Sequence, residues 1–255
     1  MNNATVVLEE RGPILIVTLN RPESRNAVNL AMATAIAEAM DELDRRNDLT
    51  VGVLAANGAS FCAGMDLKAF LAGERPSIPG RGFAGLVESP PTKPLIAAVE
   101  GHAVAGGFEI VLACDLIVAA EDASFGLPEV KRGLVAAGGG LLRIPRHIAY
   151  HHAMEWALTG RAVSAHEAHG LGLINRLTPK GRALEVALEL ADLIGRNAPL
   201  AVRATKQVIT QSRDWPWQTA FCNQTAITEP VRASQDAREG ASAFHERRFA
   251  VWTGA

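Results

Sequence analysis

The chain has 255 residues, 48% hydrophobic and 20% charged, with a formal net charge of −2. That length and apolar content suffice for one large core without staples, and the near-neutral balance supplies no basic face for nucleic acid. Three cysteines, Cys62, Cys114 and Cys222, are odd in number and lack a short-range pairing pattern; they predict small buried apolar residues in a reducing compartment rather than a disulfide framework.

Residues 1–10 lack the basic and apolar regions of a secretory signal and the arginine content of a transit peptide. The oiliest run, 103–120, is interrupted by Glu109 and Asp115, so no membrane span is expected. A soluble, cytoplasmic protein is the expectation.

Val6 to Glu10 and Ile14 to Leu19 are rich in β-branched residues and predict a hairpin turned at Gly12-Pro13. Met32, Ile36, Met40 and Leu43 recur at helical spacing and predict a helix over 30–46 capped by Asn29. Val51 to Ala56 reads as a buried strand closed by Asn57-Gly58. Glycines and prolines cluster from Gly73 to Pro94, predicting a mobile surface loop with one helical turn near 83–87. A strand over 95–99, a helix over 106–114 and a strand over 116–120 continue the alternation of an α/β layered core.

Beyond Leu141 helices dominate. They are expected over 145–158, after the capping-box spacing of Ser164-Ala-His-Glu167, from Thr178-Pro179 after a strand at 173–177, over 200–211 behind Asn197-Ala-Pro199, and through 219–248. Trp215, Trp217, Phe221 and Phe244 stud the last stretch. The chain thus divides into a core of residues 1–196 and a helical region of residues 197–255.

Some familiar patterns fail on their context. Gly80-Arg-Gly-Phe-Ala-Gly85 spells a dinucleotide fingerprint, but Pro76 and Pro79 stand where its strand belongs. His166-Glu-Ala-His169 spaces its histidines at i, i+3 rather than i, i+4 and reads as two solvated side chains. The seven histidines show no ligand spacing, so no metal is expected.

Three segments hold chemistry-bearing residues. Phe61-Cys-Ala-Gly-Met-Asp-Leu-Lys68 is a strand end breaking into a turn. Gly101-His-Ala-Val-Ala-Gly-Gly-Phe-Glu109 is a glycine turn opening an apolar helical run. Phe125-Gly-Leu-Pro-Glu129 sets a second acid behind a proline. Singly, each has a plain explanation. A carboxylate in a first helical turn favours the dipole, Glu129 opens an ordinary helix, Gly106 and Gly107 permit close packing, Gly138-Gly-Gly140 is a connector, and Arg25, Arg247 and Arg248 are solvated.

Jointly, and with Asn20-Arg-Pro-Glu-Ser-Arg-Asn-Ala27, Leu158-Thr-Gly-Arg161, Ala168-His-Gly-Leu-Gly-Leu-Ile-Asn175 and Phe244-His-Glu-Arg-Arg248, these segments resemble the enoyl-CoA hydratase/isomerase (crotonase) superfamily in order and spacing over essentially the whole chain. The resemblance implies a spiral of β-β-α units whose helical C-terminal region builds homotrimers, often paired into hexamers. It implies acyl-CoA thioesters as ligands, an oxyanion hole of the Met65 and Gly106 backbone N–H groups, and Glu109 and Glu129 as catalytic acids. It assigns coenzyme A to Arg25, Ala27, Ala63, Asp66 and Leu67, with Arg25 the phosphate candidate and Arg247 or Arg248 of a neighbouring subunit a further one. No metal and no cofactor beyond the substrate's own CoA is implied.

Retention of both acids favours a hydratase over an isomerase, which needs mainly Glu129, and over a non-catalytic acyl-CoA-binding protein. Where typical hydratases have Pro-Gly, this chain has Ala136-Ala137. Branched, aromatic and carnitine-derived acyl groups therefore stay open beside straight-chain ones.

Overall fold

A computed structural model describes residues 4–255; the first three residues of the segment judged to lack a signal lie outside it. Strands β1 (Val6–Arg11) and β2 (Ile14–Leu19) form the antiparallel hairpin expected, Val6 opposite Leu19. Helix α1 (Leu30–Arg45) begins where Asn29 accepts the Met32 N–H at 3.0 Å, satisfying one of the helix's orphan donors. Then come β3 (Val51–Ala56), α2 (Leu67–Leu71), β4 (Ser77–Ile78) and β5 (Gly82–Phe83). Next are β6 (Leu95–Val99), β7 (His102–Val104), α3 (Gly106–Ala113), β8 (Leu116–Ala120) and β9 (Ser124–Gly126), followed by a 3-10 turn at Pro128–Arg132. Helices α4 (Gly140–His147) and α5 (Tyr150–Thr159), strand β10 (Val163–Ser164), helix α6 (Ala165–Gly170) and strand β11 (Arg176–Thr178) lead to α7 (Ala183–Gly195). The chain ends in α8 (Pro199–Gln211), α9 (Trp217–Arg232) and α10 (Gln235–Glu246).

Six strands make the main sheet in the order β1-β2-β3-β6-β8-β11, parallel except for the β1–β2 pair. A second sheet is built of β10-β9-β7. Twice in succession the chain gives one strand to the large sheet and one to the small sheet, then turns into helix: β6-β7-α3, then β8-β9 and α4. This is the β-β-α spiral of a crotonase-like α/β fold. Side-chain alternation along the central strands builds a core on each face. Leu15, Val17, Leu54, Leu95, Ala97 and Val99 join α1 and α3 in one core, whereas Ile16, Val51, Val53, Ile96, Ala98 and Val118 meet α7 on the other. The contact stripe of α7 is small, with Ala183, Ala187 and Ala191 fully buried, so the helix lies close on the sheet.

Several elements depart from expectation. The 73–94 segment carries the β4–β5 hairpin and drives Ala84, Leu86 and Val87 into the core, so it is not a surface loop throughout. Gly80 to Gly85 is the tip and return arm of that hairpin, with no helix behind it. The helix expected over 145–158 is two helices: α4 starts at Gly140, and extended backbone at Ile148 and Ala149 separates it from α5. Thr178 belongs to β11, not to a helix start, because it pairs with Ala120; α7 begins later, where Glu100 accepts the Gly181 and Ala183 N–H groups. Ser234 caps α10 through the Ala237 N–H and thereby splits the tail expected to be one helical stretch. Cys62 is buried, but Cys114 is only half-buried and Cys222 exposed.

Beyond residue 196 the character of the packing changes. Neither α8 nor α9 contributes a buried residue. Trp217 is 76% exposed and Phe221 63%, their rings edge to face at 5.4 Å. Among the described residues no helix is long and apolar enough to cross a membrane.

Candidate active site

Backbone hydrogen bonds bring the three chemistry-bearing segments side by side. The Cys62 N–H donates to His102 O at 3.1 Å, Val104 N–H to Cys62 O at 3.0 Å, and Ala105 N–H to Gly126 O at 2.9 Å. β7 runs parallel to β9, and the Phe108 and Phe125 rings pack 5.3 Å apart behind them. Approach is tight at Gly107, where a β-carbon would stand 2.2 Å from Cys62 O, so only glycine fits.

Two backbone N–H groups point away from these ladders. Val28 N–H donates to Gly64 O and Asp66 N–H to Val28 O, which leaves the intervening Met65 N–H outside the pairing. Gly106 opens α3, and its N–H is one of the unpaired donors at the helix's positive end. A β-carbon on Gly64 would lie 3.1 Å from Gly106 N, which makes the two turns immediate neighbours. Ala105, just before Gly106, holds φ 53° and ψ −132°, a strained conformation for a residue with a β-carbon. The Phe83 ring lies directly on Gly106, its edge carbons 2.5 and 2.6 Å from where a β-carbon would be.

Glu109 projects from the first turn of α3 and is 4% exposed. Its Oε1 accepts the Gly140 N–H at 2.9 Å. Burial pushes this carboxyl up, partly offset by the N–H groups of Gly140 and Gly138 and by the charge of Arg143. Glu129 sits in the 3-10 turn, half-buried, and burial pushes it up as well, with the charge of Glu109 adding to the rise and Arg132 opposing it. Its Oε2 is buried and has no hydrogen-bond partner. Buried polar atoms are nearly always satisfied within a protein, which makes this oxygen a candidate functional group. Ala136 is buried and Ala137 exposed in the turn leading to Gly138.

The residues matched to coenzyme A also meet. Arg25 is exposed at φ 51°, and its carbonyl accepts the Ala63 N–H; its guanidinium forms no ion pair among the described residues. Arg21, which sequence reasoning missed, ties the two loops together by donating to Ala27 O at 2.5 Å and to Asp66 Oδ2 at 3.0 Å. Asp66 is occupied structurally, capping α2 through the Lys68 and Ala69 N–H groups, while Leu67 is half exposed. Arg248 is engaged by Glu239 and Glu246, so of the two tail arginines Arg247 is the unpaired one. His166 and His169 are exposed. No group of three or more His, Cys, Asp and Glu side chains among the described residues is placed to hold a metal.

The chain is similar to known proteins over nearly its whole length. The model of the family described as enoyl-CoA hydratase/isomerase matches residues 9–255. An enoyl-CoA hydratase of Mycobacterium tuberculosis H37Rv is 44% identical over 253 residues, covering 95% of this chain and 94% of that protein. The crystal structure of an enoyl-CoA hydratase from the same organism superposes with a TM-score of 0.98 at 57% identity, covering 99% of this chain and 100% of the other. That of a carnitinyl-CoA hydratase from Mycobacterium avium superposes with a TM-score of 0.80 at 42% identity over 100% of both chains.

Proposed function

The chain belongs to the enoyl-CoA hydratase/isomerase family, and from that membership we propose that it is an enoyl-CoA hydratase, adding water syn across the double bond of a 2-enoyl-CoA thioester. The thioester oxygen takes the Met65 and Gly106 N–H groups, both oriented before charge develops on it. Glu109 accepts a proton from water as the water oxygen bonds to the β-carbon, and Glu129 gives its proton to the α-carbon. One acid gains the proton the other loses, so the pair ends with the count it began with. For this it must hold a single shared proton at neutral pH, which burial of two neighbouring carboxyls favours. The observation that most supports this role is the buried, unpartnered Oε2 of Glu129 beside a buried Glu109.

Coenzyme A is placed against the joined loops of Arg25, Ala27, Ala63, Asp66 and Leu67, with Arg25 on the phosphates; backbone and exposed surface make the contact at Asp66 and Leu67. Residues 197–255 are assigned to assembly into a trimer or a hexamer, on the strength of an apolar surface on helices that bury nothing within the chain. The free cysteines suit a cytoplasmic setting.

A carnitinyl-CoA-type substrate is the second reading, favoured by the likeness to the Mycobacterium avium protein and by Ala136-Ala137 before Gly138. A panel of straight-chain, branched, aromatic and carnitine-derived enoyl-CoA thioesters, with product identification, tests both. Hydration of none of them, with double-bond migration instead, would move the assignment to an isomerase.

A further inference from the structure

Arg143 is a cation that the chemistry above leaves unused. It lies on α4 one turn beyond Gly139 and Gly140, the second of which donates its N–H to Glu109. The guanidinium folds back over that glycine turn, with Nη1 2.3 Å from where a β-carbon on Gly139 would stand. Nη2 donates to Val87 O at 2.6 Å. Val87 belongs to the buried segment behind Phe83, the residue whose ring covers Gly106. One side chain therefore spans from the turn that holds Glu109 to the segment behind the oxyanion donor.

No carboxylate lies within ion-pairing distance of Arg143 among the described residues, although the side chain is partly buried. Desolvating a guanidinium without a direct counter-ion is costly, so its retention calls for a reason. The charges around it narrow that reason. Glu109 of α3 acts on Arg143 with opposite charge, Cys114 just beyond α3 is held by burial as a neutral thiol, and Arg146 and His147 of its own helix face the guanidinium. Arg143 is in turn the charged side chain acting on Glu109, while Glu129 and Arg132 face the site from the 3-10 turn.

We propose that Arg143 is a positioning residue that acts through Glu109, holding a fixed positive charge behind the carboxylate that polarises water; the inference rests on the hydratase assignment. The charge keeps Glu109 ionised while Glu129 carries the shared proton, and so gives the pair a direction. The bond to Val87 keeps the guanidinium in place without a carboxylate neutralising it.

The test uses the full-length enzyme and the thioester it turns over fastest, comparing wild type with Arg143→Gln and Arg143→Lys. Glutamine keeps a donor for Val87 O and loses the charge; lysine keeps the charge. For Arg143→Gln the acid limb of the kcat/KM profile should move up by on the order of one pH unit, with kcat lower at neutral pH and KM nearly unchanged. Arg143→Lys should hold the limb near the wild-type position. If Arg143→Gln does not fold, Arg143→Met, which preserves the packed stem, takes its place. An unmoved limb in the neutral variant, or one displaced equally by lysine, overturns the proposal in an active enzyme. A wild type that hydrates no thioester overturns both the proposal and the assignment beneath it.

Discussion

Gly138 and Glu109 meet so closely that a β-carbon on the glycine would stand 2.6 Å from Glu109 Oε2. Gly138→Ala must therefore displace either the carboxylate or the turn that holds it. Because a misplacement of about 1 Å costs roughly 100-fold in a positioned reaction, kcat should fall by one to two orders of magnitude. KM should stay close to wild type, since the loops proposed to hold coenzyme A are on other elements. Steady-state kinetics decide it: an unchanged kcat would show that Glu109 moves without consequence.

The parts of this fold legible in the sequence are those written in local chemistry. Asn29 and Ser164 were identifiable as caps because each bonds to an N–H three residues on. Even there tertiary contacts intervene: Glu167, which capping-box spacing would turn back to the cap, instead accepts from Trp156 and Arg161. β7, β9 and β10 were missed, being two or three residues long and defined by pairing with one another and, for β7, with Cys62. Glu109 and Glu129 were legible as acids, but not the missing partner of Glu129 Oε2. Phe83, Arg21 and Arg143 escaped for the same reason, since their contacts are with residues remote in the chain.

Arg25 offers an exposed, unpaired guanidinium at the edge of the loops assigned to coenzyme A. Arg25→Ala should raise KM by about tenfold, the scale of one charge-assisted hydrogen bond, and leave kcat nearly unchanged because the contact is remote from the reacting bond. Added salt should weaken wild-type binding in the same direction. Titration calorimetry with a saturated acyl-CoA checks the affinity directly, and an unaltered Kd would reassign the phosphate site.

Trp217 and Phe221 expose adjoining rings on a helix that buries nothing within the chain. Such surface on a chain of ordinary charge marks a contact with another copy. Wild type should sediment as a trimer or hexamer, and the Trp217→Ser, Phe221→Ser double variant should shift toward smaller species. A wild type that remains monomeric at micromolar concentration would refute the assembly role.

Burial first, and then the charge of Glu109, raise the Glu129 carboxyl above its ordinary value of 4.5. A folded-state pKa above the unfolded one means that its stabilising contribution is complete below pH 4.5 and is lost as pH rises through the raised value. Above that window the folded chain carries a charge it holds at a cost. Glu129→Gln should therefore be less active yet melt higher than wild type at neutral pH, with the difference closing below pH 4.5. Thermal melts across the range test the sign, and a difference independent of pH would contradict it.

The two acids differ in what each is needed for, and that asymmetry gives the sharpest prediction. In the proposed mechanism Glu109, anchored by the Gly140 N–H, receives the proton of water, and Glu129, with its unpartnered oxygen, handles the proton at the α-carbon. Glu109→Gln and Glu129→Gln should each lower hydratase kcat by on the order of 10²–10⁴, the scale for losing a positioned acid or base. Thioester affinity should persist in both. In Glu109→Gln the remaining acid still exchanges the α-proton, so solvent deuterium incorporation or slow double-bond migration should survive the loss of water addition. In Glu129→Gln both should disappear. Mass spectrometry of the recovered thioester in deuterated buffer separates the two variants, and full hydratase turnover by Glu109→Gln would rule out a two-carboxylate mechanism.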